Sequence, residues 1–302
     1  MEVIQQILIL YLVAGVGFAL TKVKVFNEQT IKAMTTITAN VGIPALTVVK
    51  LLDVEDPTLL PSLMQTILIS FLLLFVLLGI AHLIFRRNTQ VRRSIFVQMA
   101  AFCNCGFMGY PVITAALGAT GLMHAIGFNV AYSFVVWTVG VRLFAGKQPG
   151  MWKKMINPTL IASIISMVMF ALSLRLPTVI HSAFSYLADM TTPLSMLITG
   201  SYMTRITREI AVDKKMWFAC GVRLVLFPLI TMALIMFLPI ELIQKETLFI
   251  TMLMPCGSVM VIQALTYGTE ESARLATGGV ALSTILSAAT IPLLLQLLPL
   301  LA

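Results

Sequence analysis

Two short stretches combine glycine and proline inside apolar segments of the chain, at residues 104–111 (NCGFMGYP) and 254–258 (MPCGS). Proline removes a helical hydrogen bond and clashes with the preceding turn, and glycine is a poor helix former, so a continuous helix is disfavoured in both. An interrupted helix leaves unpaired N–H groups that, together with the helix dipole, favour a negative charge. The predicted chemistry is anion binding, with an ordinary structural kink as the alternative. The candidate residues are Asn104, Gly109, Tyr110, Pro111, Pro255, Cys256, Gly257 and Ser258.

Three polar side chains lie within the same kind of apolar sequence. The Asn104 amide can bind a carboxylate directly or satisfy a neighbouring carbonyl group. Asp189 is an ionisable group within an apolar segment, which costs about 3 kcal/mol or more unless the group is paired or functional. It is a candidate to exchange a proton or to hold a coupling cation. Arg223 has three possible roles, which are an ion pair with Asp189, attraction of an anion and extension to the membrane surface, and we favour the ion pair.

Motifs for other chemistry are missing from the sequence. It contains no His-Glu-x-x-His zinc motif, and no nucleophile with its base or pair of metal-binding aspartates is recognisable. The four cysteines fall in apolar runs and are interpreted as small core residues. We therefore expect no enzyme activity and no metal or other cofactor, and the coupling ion, if any, is left open between a proton and sodium.

The composition indicates an integral membrane protein. Of the 302 residues, 59% are apolar and 11% are charged, and the mean hydropathy is +0.99. So little polar surface excludes a soluble enzyme, a disordered regulator and a nucleic-acid-binding domain, despite a net charge of +8. We expect the lipid bilayer as a partner and no nucleic acid.

Apolar runs predict ten transmembrane helices of about 20 residues each. They cover residues 3–21, 29–51, 61–85, 94–117 and 122–145, and then 158–174, 179–203, 215–238, 247–267 and 273–300. The first run lacks a basic start and a cleavage site, so we expect it to be retained rather than removed as a signal peptide. The predicted fold is an all-α membrane protein with a first five-helix unit at 1–145, a cytoplasmic linker at 146–157 and a second unit at 158–302.

The basic residues orient these helices. Lysine and arginine gather in the loops after odd-numbered segments, as in residues 86–93 and 205–215. Because basic residues accumulate on cytoplasmic loops, both termini are predicted on the outer side of the cell (inner) membrane.

An odd number of helices in each unit requires the second unit to be inverted relative to the first, so we expect an inverted repeat. The alignment that places Pro44 on Pro193 also places Asn40 on Asp189, which adds Asn40 to Asp189 and Arg223 as candidates for coupling or gating. The glycine- and proline-containing stretches then fall in the fourth and ninth helices. Paired interruptions of this kind mark the binding site of a transporter.

In order along the chain, these motifs resemble the auxin efflux carrier family, which includes bacterial organic-acid permeases and the plant auxin exporters. The resemblance covers nearly the whole sequence. It is carried by Asn104-x-x-x-Met108-Gly109-x-Pro111, Asn157-Pro158, Leu187-Ala188-Asp189, Arg223, Phe227-Pro228, Pro255-x-Gly257, Leu275-Ala276-Thr277-Gly278 and Ile291-Pro292.

The resemblance implies two inverted repeats whose helices one, two, six and seven form a dimerising scaffold. The remaining helices, three to five and eight to ten, would form a moving transport domain, with helices four and nine crossing at the substrate. Plant members carry a second proline where this chain has Met260, so the second crossing is expected to differ in shape. The short central linker makes this chain similar to prokaryotic members, for which auxin is not the expected substrate.

The favoured function is a secondary transporter that moves a small organic anion, a mono- or dicarboxylate, by alternating access as a homodimer. A cation/proton antiporter is the first alternative, but segments 94–117 and 247–267 contain no Asp or Glu to bind the cation. A pore or a membrane sensor without transport is the second alternative, because neither requires a specific motif.

Overall fold

The computed structural model describes residues 2–54, 56–145 and 158–301, and the regular structure of these residues is helical. Among these residues, five helical stretches are long and apolar enough to cross a membrane. They are Glu28–Leu52, Leu60–Ile84, Cys105–Ala145, Lys214–Met236 and Glu270–Leu295. The linker predicted at 146–157 lies outside the described residues. The division into ten helices and two inverted repeats stays a prediction.

The helices are numbered here in chain order. They are α1 (Glu2–Lys22), α2 (Glu28–Ile37), α3 (Ile43–Leu52), α4 (Leu60–Ile84), α5 (Gln90–Ala101), α6 (Tyr110–Val135), α7 (Val141–Ala145), α8 (Pro158–Ala171), α9 (Thr178–Asp189), α10 (Thr191–Met203), α11 (Arg208–Val212), α12 (Lys214–Gly221), α13 (Phe227–Met236), α14 (Leu242–Leu253), α15 (Val259–Tyr267) and α16 (Glu270–Leu295). Wider π-helical turns occur at Thr38–Gly42, Cys105–Gly109, Val136–Gly140 and Val222–Leu226, and short 3₁₀ turns at Pro57–Leu59 and Leu298–Leu301.

The helices differ from the predicted segments at two places. The fourth and fifth segments are joined in one helical stretch that bends at Gly118, whose φ is +66°. Glycine adopts this left-handed conformation without the steric cost that other residues carry. The predicted seventh segment is divided between α9 and α10 at Met190. A single residue therefore interrupts the helix at each of these places.

The fourth and ninth segments are both interrupted. Helix α14 ends at Leu253 and α15 begins at Val259, as the second glycine- and proline-containing stretch predicts. In the fourth segment the residues outside the helices are 102–104, and not Gly109–Pro111 as the sequence suggested. Pro111 instead lies near the start of α6, which continues directly from the π-helical turn Cys105–Gly109. Its missing N–H leaves the carbonyl oxygen of Phe107 without an α-helical donor. The first interruption therefore lies several residues earlier than predicted.

Helices α1 and α10 pack closely through glycine. A Cβ atom added at Gly200 would lie 1.7 Å from the carbonyl oxygen of Ala14, and one added at Gly17 would lie 2.2 Å from that of Leu197. Small residues allow helices to approach this closely inside a membrane. The contact joins two helices that the resemblance assigns to the scaffold.

Candidate functional site

The two interrupted segments lie against each other. The amide of Asn104 donates a hydrogen bond to the carbonyl oxygen of Pro255 over 2.8 Å, and that of Gly257 donates to Phe102 over 2.9 Å. Between these bonds the backbones of Cys103 and Cys256 pair as an isolated antiparallel β-bridge, and both cysteines are free thiols. Backbone freed from a helix within a membrane must be satisfied by protein or water. Here each interruption supplies backbone hydrogen-bond partners to the other, and we call this pair of segments the crossing.

Gly257 is required by the closeness of this contact. A Cβ atom there would lie 2.8 Å from the carbonyl oxygen of Cys103 and 2.8 Å from the hydroxyl of Tyr132. Real Cβ atoms are not found this close to backbone atoms, so a larger residue displaces one of the two segments. On the other side of the crossing, the Cys256 amide donates to the Ser283 hydroxyl of α16 over 3.3 Å. The crossing is thus held from the side of α16, and the Tyr132 hydroxyl and the Cys103 carbonyl leave no room for a side chain at position 257.

Arg223 joins the carboxyl ends of the two helices that stop at the crossing. Its guanidinium group is fully buried and donates to the carbonyl oxygens of Ala100 at 3.0 Å, Met252 at 2.8 Å and Met254 at 3.0 Å. The last carbonyl groups of a helix lack partners within it and carry partial negative charge. A buried cation satisfies several of them at once. Among the described residues Arg223 has no carboxylate partner, so the favoured ion pair with Asp189 is not seen.

A cavity of about 170 Å³ lies on one side of the crossing, and we call it the first cavity. Its polar lining includes the side chains of Asn40, Asn104, Asn129 and Ser258. The remainder is mostly apolar or aromatic and includes Ile43, Phe107, Tyr132, Val136, Trp137, Val259 and Ile262. A few polar groups in an otherwise apolar concave site are typical of small-molecule binding.

Two helices begin at the wall of the first cavity. The residues before them, Asn104 and Ser258, form no side-chain hydrogen bond that would cap the first turn. The initial N–H groups of a helix have no partners within the helix, and they attract anions together with the dipole. Both helix starts therefore line one cavity, but at α15 the amides of Met260 and Val261 already donate to the carbonyl oxygens of Gly257 and Ser258. The amides that begin the other helix, at Cys105 and Gly106, are the stronger candidates to attract an anion.

Two buried glutamines that the sequence analysis did not select hold another part of the cavity wall. Gln98 of α5 donates to the carbonyl oxygen of Gly140 over 2.7 Å, and Gln263 of α15 donates to that of Val136 over 2.8 Å. Both acceptors belong to the π-helical turn Val136–Gly140, which also contributes Trp137 to the cavity. A glutamine within an apolar segment was the available signal, but its partner on another helix cannot be deduced from spacing.

A second cavity, of about 430 Å³, is lined by another set of predicted residues. It includes Tyr110, Pro111 and Asp189, together with Lys50. Asp189 is exposed because it ends α9 at the Met190 break, rather than lying buried in mid-helix. The predicted site residues are thus distributed between two cavities. Gly109, Pro255, Cys256 and Arg223 line neither of those two cavities, and Asn40, Asn104, Gly257 and Ser258 line the first.

A side chain of α10 contacts the first interruption directly. The Ser195 hydroxyl lies 3.0 Å from the carbonyl oxygen of Phe107 and 2.9 Å from that of Thr192 in its own helix. In an α-helix the Phe107 carbonyl would accept from the residue four positions later, but that residue is Pro111, which has no N–H. Ser195 therefore supplies a donor where proline removed one.

The chain is similar in sequence to known membrane transport proteins. A family model described as membrane transport protein matches residues 2–295. An uncharacterized transporter of Methanocaldococcus jannaschii is 26% identical over 311 aligned positions, covering 97% of each chain. An uncharacterized transporter of Methanothermobacter thermautotrophicus is also 26% identical, covering 97% of this chain and 96% of the other. These descriptions indicate a membrane transporter rather than an enzyme.

The match extends along nearly the whole chain, as the order of the sequence motifs predicted. The resemblance to the auxin efflux carriers is confirmed, and this chain belongs to the membrane transport protein family.

Proposed function

We propose that this membrane transporter is a secondary carrier for a small organic anion and that the first cavity is its binding site. The observation that supports the proposal most is the crossing, with its backbone bond from Asn104 to Pro255. It brings the starts of two helices to one cavity, and neither start is capped by the side chain of the residue that precedes it. Such helix starts bind anions through their N–H groups. Asn104 and Asn129 add amide side chains to the same wall.

The lining favours a monocarboxylate over a dicarboxylate. No Asp, Glu, Lys, Arg or His is found among the described residues that line the first cavity. A second carboxylate would have to lose its water without a cation to replace it, which is costly. The cavity volume of about 170 Å³ is close to the roughly 150 Å³ that accommodates benzene in an engineered protein cavity. A short acid with an apolar body therefore fits both the size and the chemistry.

Alternating access is supported by the arrangement of the two cavities. Helix α3 contributes Ile43 to the first cavity and Leu46 to the second. The helix after the first interruption likewise contributes Phe107 to the first cavity and Tyr110 to the second. About one helical turn thus separates the cavities on both helices. Under the proposed orientation, the first cavity opens towards the cytoplasm and the second towards the outside.

Asp189 is the proposed coupling acid. It lies in the second cavity with Lys50, away from the residues that line the proposed anion site. A cation/proton antiporter would need carboxylates at the crossing itself. The described lining of the first cavity has none, which favours the anion carrier over this alternative.

The proposal is tested with purified protein reconstituted into vesicles. A thermal-shift screen against short mono- and dicarboxylates selects the ligand, since a compound that binds the native state raises its apparent stability. Counterflow of that labelled acid then distinguishes a carrier from a pore. Uptake stimulated by unlabelled acid inside the vesicles supports the carrier. High passive flux without stimulation indicates a pore, and no flux at all indicates a sensor, and either result refutes the proposal.

A further inference from the structure

A third cavity, of about 280 Å³, lies between the end of α4 and the start of α12. We call it the basic cavity. Its charged lining residues are Arg87, Lys214 and Lys215, and Asn88 adds an amide. None of these residues belongs to the crossing or to the two cavities beside it. The cavity is therefore separate from the proposed transport path.

Among the described residues, no acidic side chain neutralises the positive charge of the basic cavity. Within the described part of the chain no ion pair involves Arg87, Lys214 or Lys215. The neighbouring acid, Asp213, pairs with Arg92 at 2.6 Å and also accepts from the amide of Lys215 over 2.9 Å. The carboxylate of Asp213 is thus already occupied by Arg92 and by the capping of α12. Three cations at one cavity without an acid indicate a site for an anion.

The other side of the basic cavity is apolar and continues onto the outer surface of the helices. Phe85 is buried in its wall, and the ring of Phe218 meets that of Phe85 edge-on with centroids 6.0 Å apart. Phe218 is nevertheless 58% exposed, and the adjacent Trp217 is 46% exposed. The Trp217 indole donates to the carbonyl oxygen of Ala211 over 2.8 Å, and this bond fixes the ring near the start of α12. Aromatic residues in this position are typical of the boundary between lipid and water.

We propose that the basic cavity binds the phosphate headgroup of an anionic phospholipid of the cytoplasmic leaflet, with its acyl chains along Phe218 and Trp217. The cations and the exposed rings are adjacent, as a headgroup and its chains require. Basic pockets between membrane helices on the cytoplasmic side bind anionic headgroups in this way. The proposal rests on the predicted orientation of the chain and is independent of the transported substrate. A zwitterionic lipid carries its own cation and gains less from the site.

The test compares dioleoylphosphatidylglycerol with dioleoylphosphatidylcholine. Binding of each lipid to the detergent-purified full chain is measured by native mass spectrometry, and inorganic phosphate is added as a competitor. The double substitution Arg87→Gln with Lys215→Gln removes two cations of the cavity. The matched control, Lys22→Gln with Arg208→Gln, removes two exposed basic residues from other places on the same predicted side.

Phosphatidylglycerol is expected to bind the unchanged protein at least about tenfold more tightly than phosphatidylcholine. Each cation removed from the cavity is expected to weaken that binding about fivefold, with little effect of the control pair. Equal binding of the two lipids, or equal losses in the two double variants, overturns the proposal. Displacement of the lipid by millimolar phosphate also overturns it, because the site would then bind the free ion. Equal melting temperatures of the variants without lipid show that the comparison concerns binding and not folding.

Discussion

The backbone amide of Asn104 and the carbonyl oxygen of Pro255 form a 2.8 Å hydrogen bond that joins two helices far apart in the sequence. This bond satisfies the backbone of Asn104 without using its side chain. No hydrogen bond of the side-chain amide is seen within the described part of the chain, and Asn104 is among the residues that line the first cavity. Asn104 thus has a structural role through its backbone, and its side chain is available to a ligand.

Replacement of Asn104 by alanine separates these two roles. The backbone bond to Pro255 remains possible, so Asn104→Ala is expected to fold with a melting temperature close to that of the unchanged protein. The apparent affinity for an organic acid, measured in the thermal-shift assay, should fall at least about tenfold, since a hydrogen bond to a charged group contributes roughly 1.5–3 kcal/mol. Asn88→Ala, in the basic cavity, is the control. Full retention of ligand affinity in Asn104→Ala removes this side chain from the site.

Gly257 offers a test of the crossing itself. The added methyl group of Gly257→Ala would meet Cys103 and Tyr132 at 2.8 Å, and overpacking of this kind costs about 1–3 kcal/mol. We expect a lower melting temperature and loss of counterflow. Gly79→Ala is the control, because a Cβ atom there meets no atom within 4 Å. Normal counterflow in Gly257→Ala would show that the two segments separate more easily than the structure indicates.

The sequence predicted the helical class, the family and the interruption at Pro255, because proline and glycine act through local backbone geometry. It placed the other interruption at Gly109–Pro111, although the residues outside the helices are 102–104. The π-helical turn Cys105–Gly109 continues into α6, so Pro111 lies within a helical stretch rather than at its break. Local propensity cannot predict this displacement, because the bond between Asn104 and Pro255 depends on residues distant in the sequence.

Arg223 is a further example of a role that spacing cannot reveal. An arginine in an apolar segment indicates a functional or paired group, and Asp189 was the available acid. The structure gives it three backbone carbonyl groups instead. These acceptors exist only because two helices end next to each other, so they are a consequence of the tertiary fold. For the same reason, residue spacing could not indicate that Gln98 and Gln263 donate to one π-helical turn.

Substitution of Arg223 should destabilise the protein more than that of any surface arginine. Arg223→Gln leaves carbonyl groups of two helix ends without their partner, and each unsatisfied buried group costs about 1–3 kcal/mol. Arg223→Lys keeps the charge but has no planar fork to reach three acceptors, so an intermediate loss is expected. The melting temperature in detergent measures both, with the exposed Arg208→Gln as the control. A stability of Arg223→Gln equal to that of the control would contradict the assigned role.

The carboxylate of Asp189 is expected to determine how transport responds to pH. If this acid exchanges the coupled proton, Asp189→Asn should make uptake of the acid nearly independent of pH while ligand binding at the first cavity persists. Uptake is measured in vesicles over a range of external pH. Asp56→Asn is the control, because Asp56 is exposed and its carboxylate accepts from the amide and hydroxyl of Thr58. An unchanged pH profile with a normal rate would leave Asp189 without a part in coupling.

The contact between Ser195 and Phe107 should affect the rate of exchange between conformations, if the proposed carrier function holds. It joins α10, which the resemblance assigns to the scaffold, to the interrupted segment of the transport domain, and it must break when the two move apart. Ser195→Ala removes a donor worth about 1 kcal/mol, and the proline at position 111 cannot donate in its place. We expect faster counterflow. The increase reaches about fivefold if the bond between Ser195 and Phe107 is fully broken in the transition state of the conformational change. Ser185→Ala, whose hydroxyl donates within its own helix to His181 over 3.0 Å, should leave the rate unchanged. Equal rates in the two variants would show that this bond does not limit the movement.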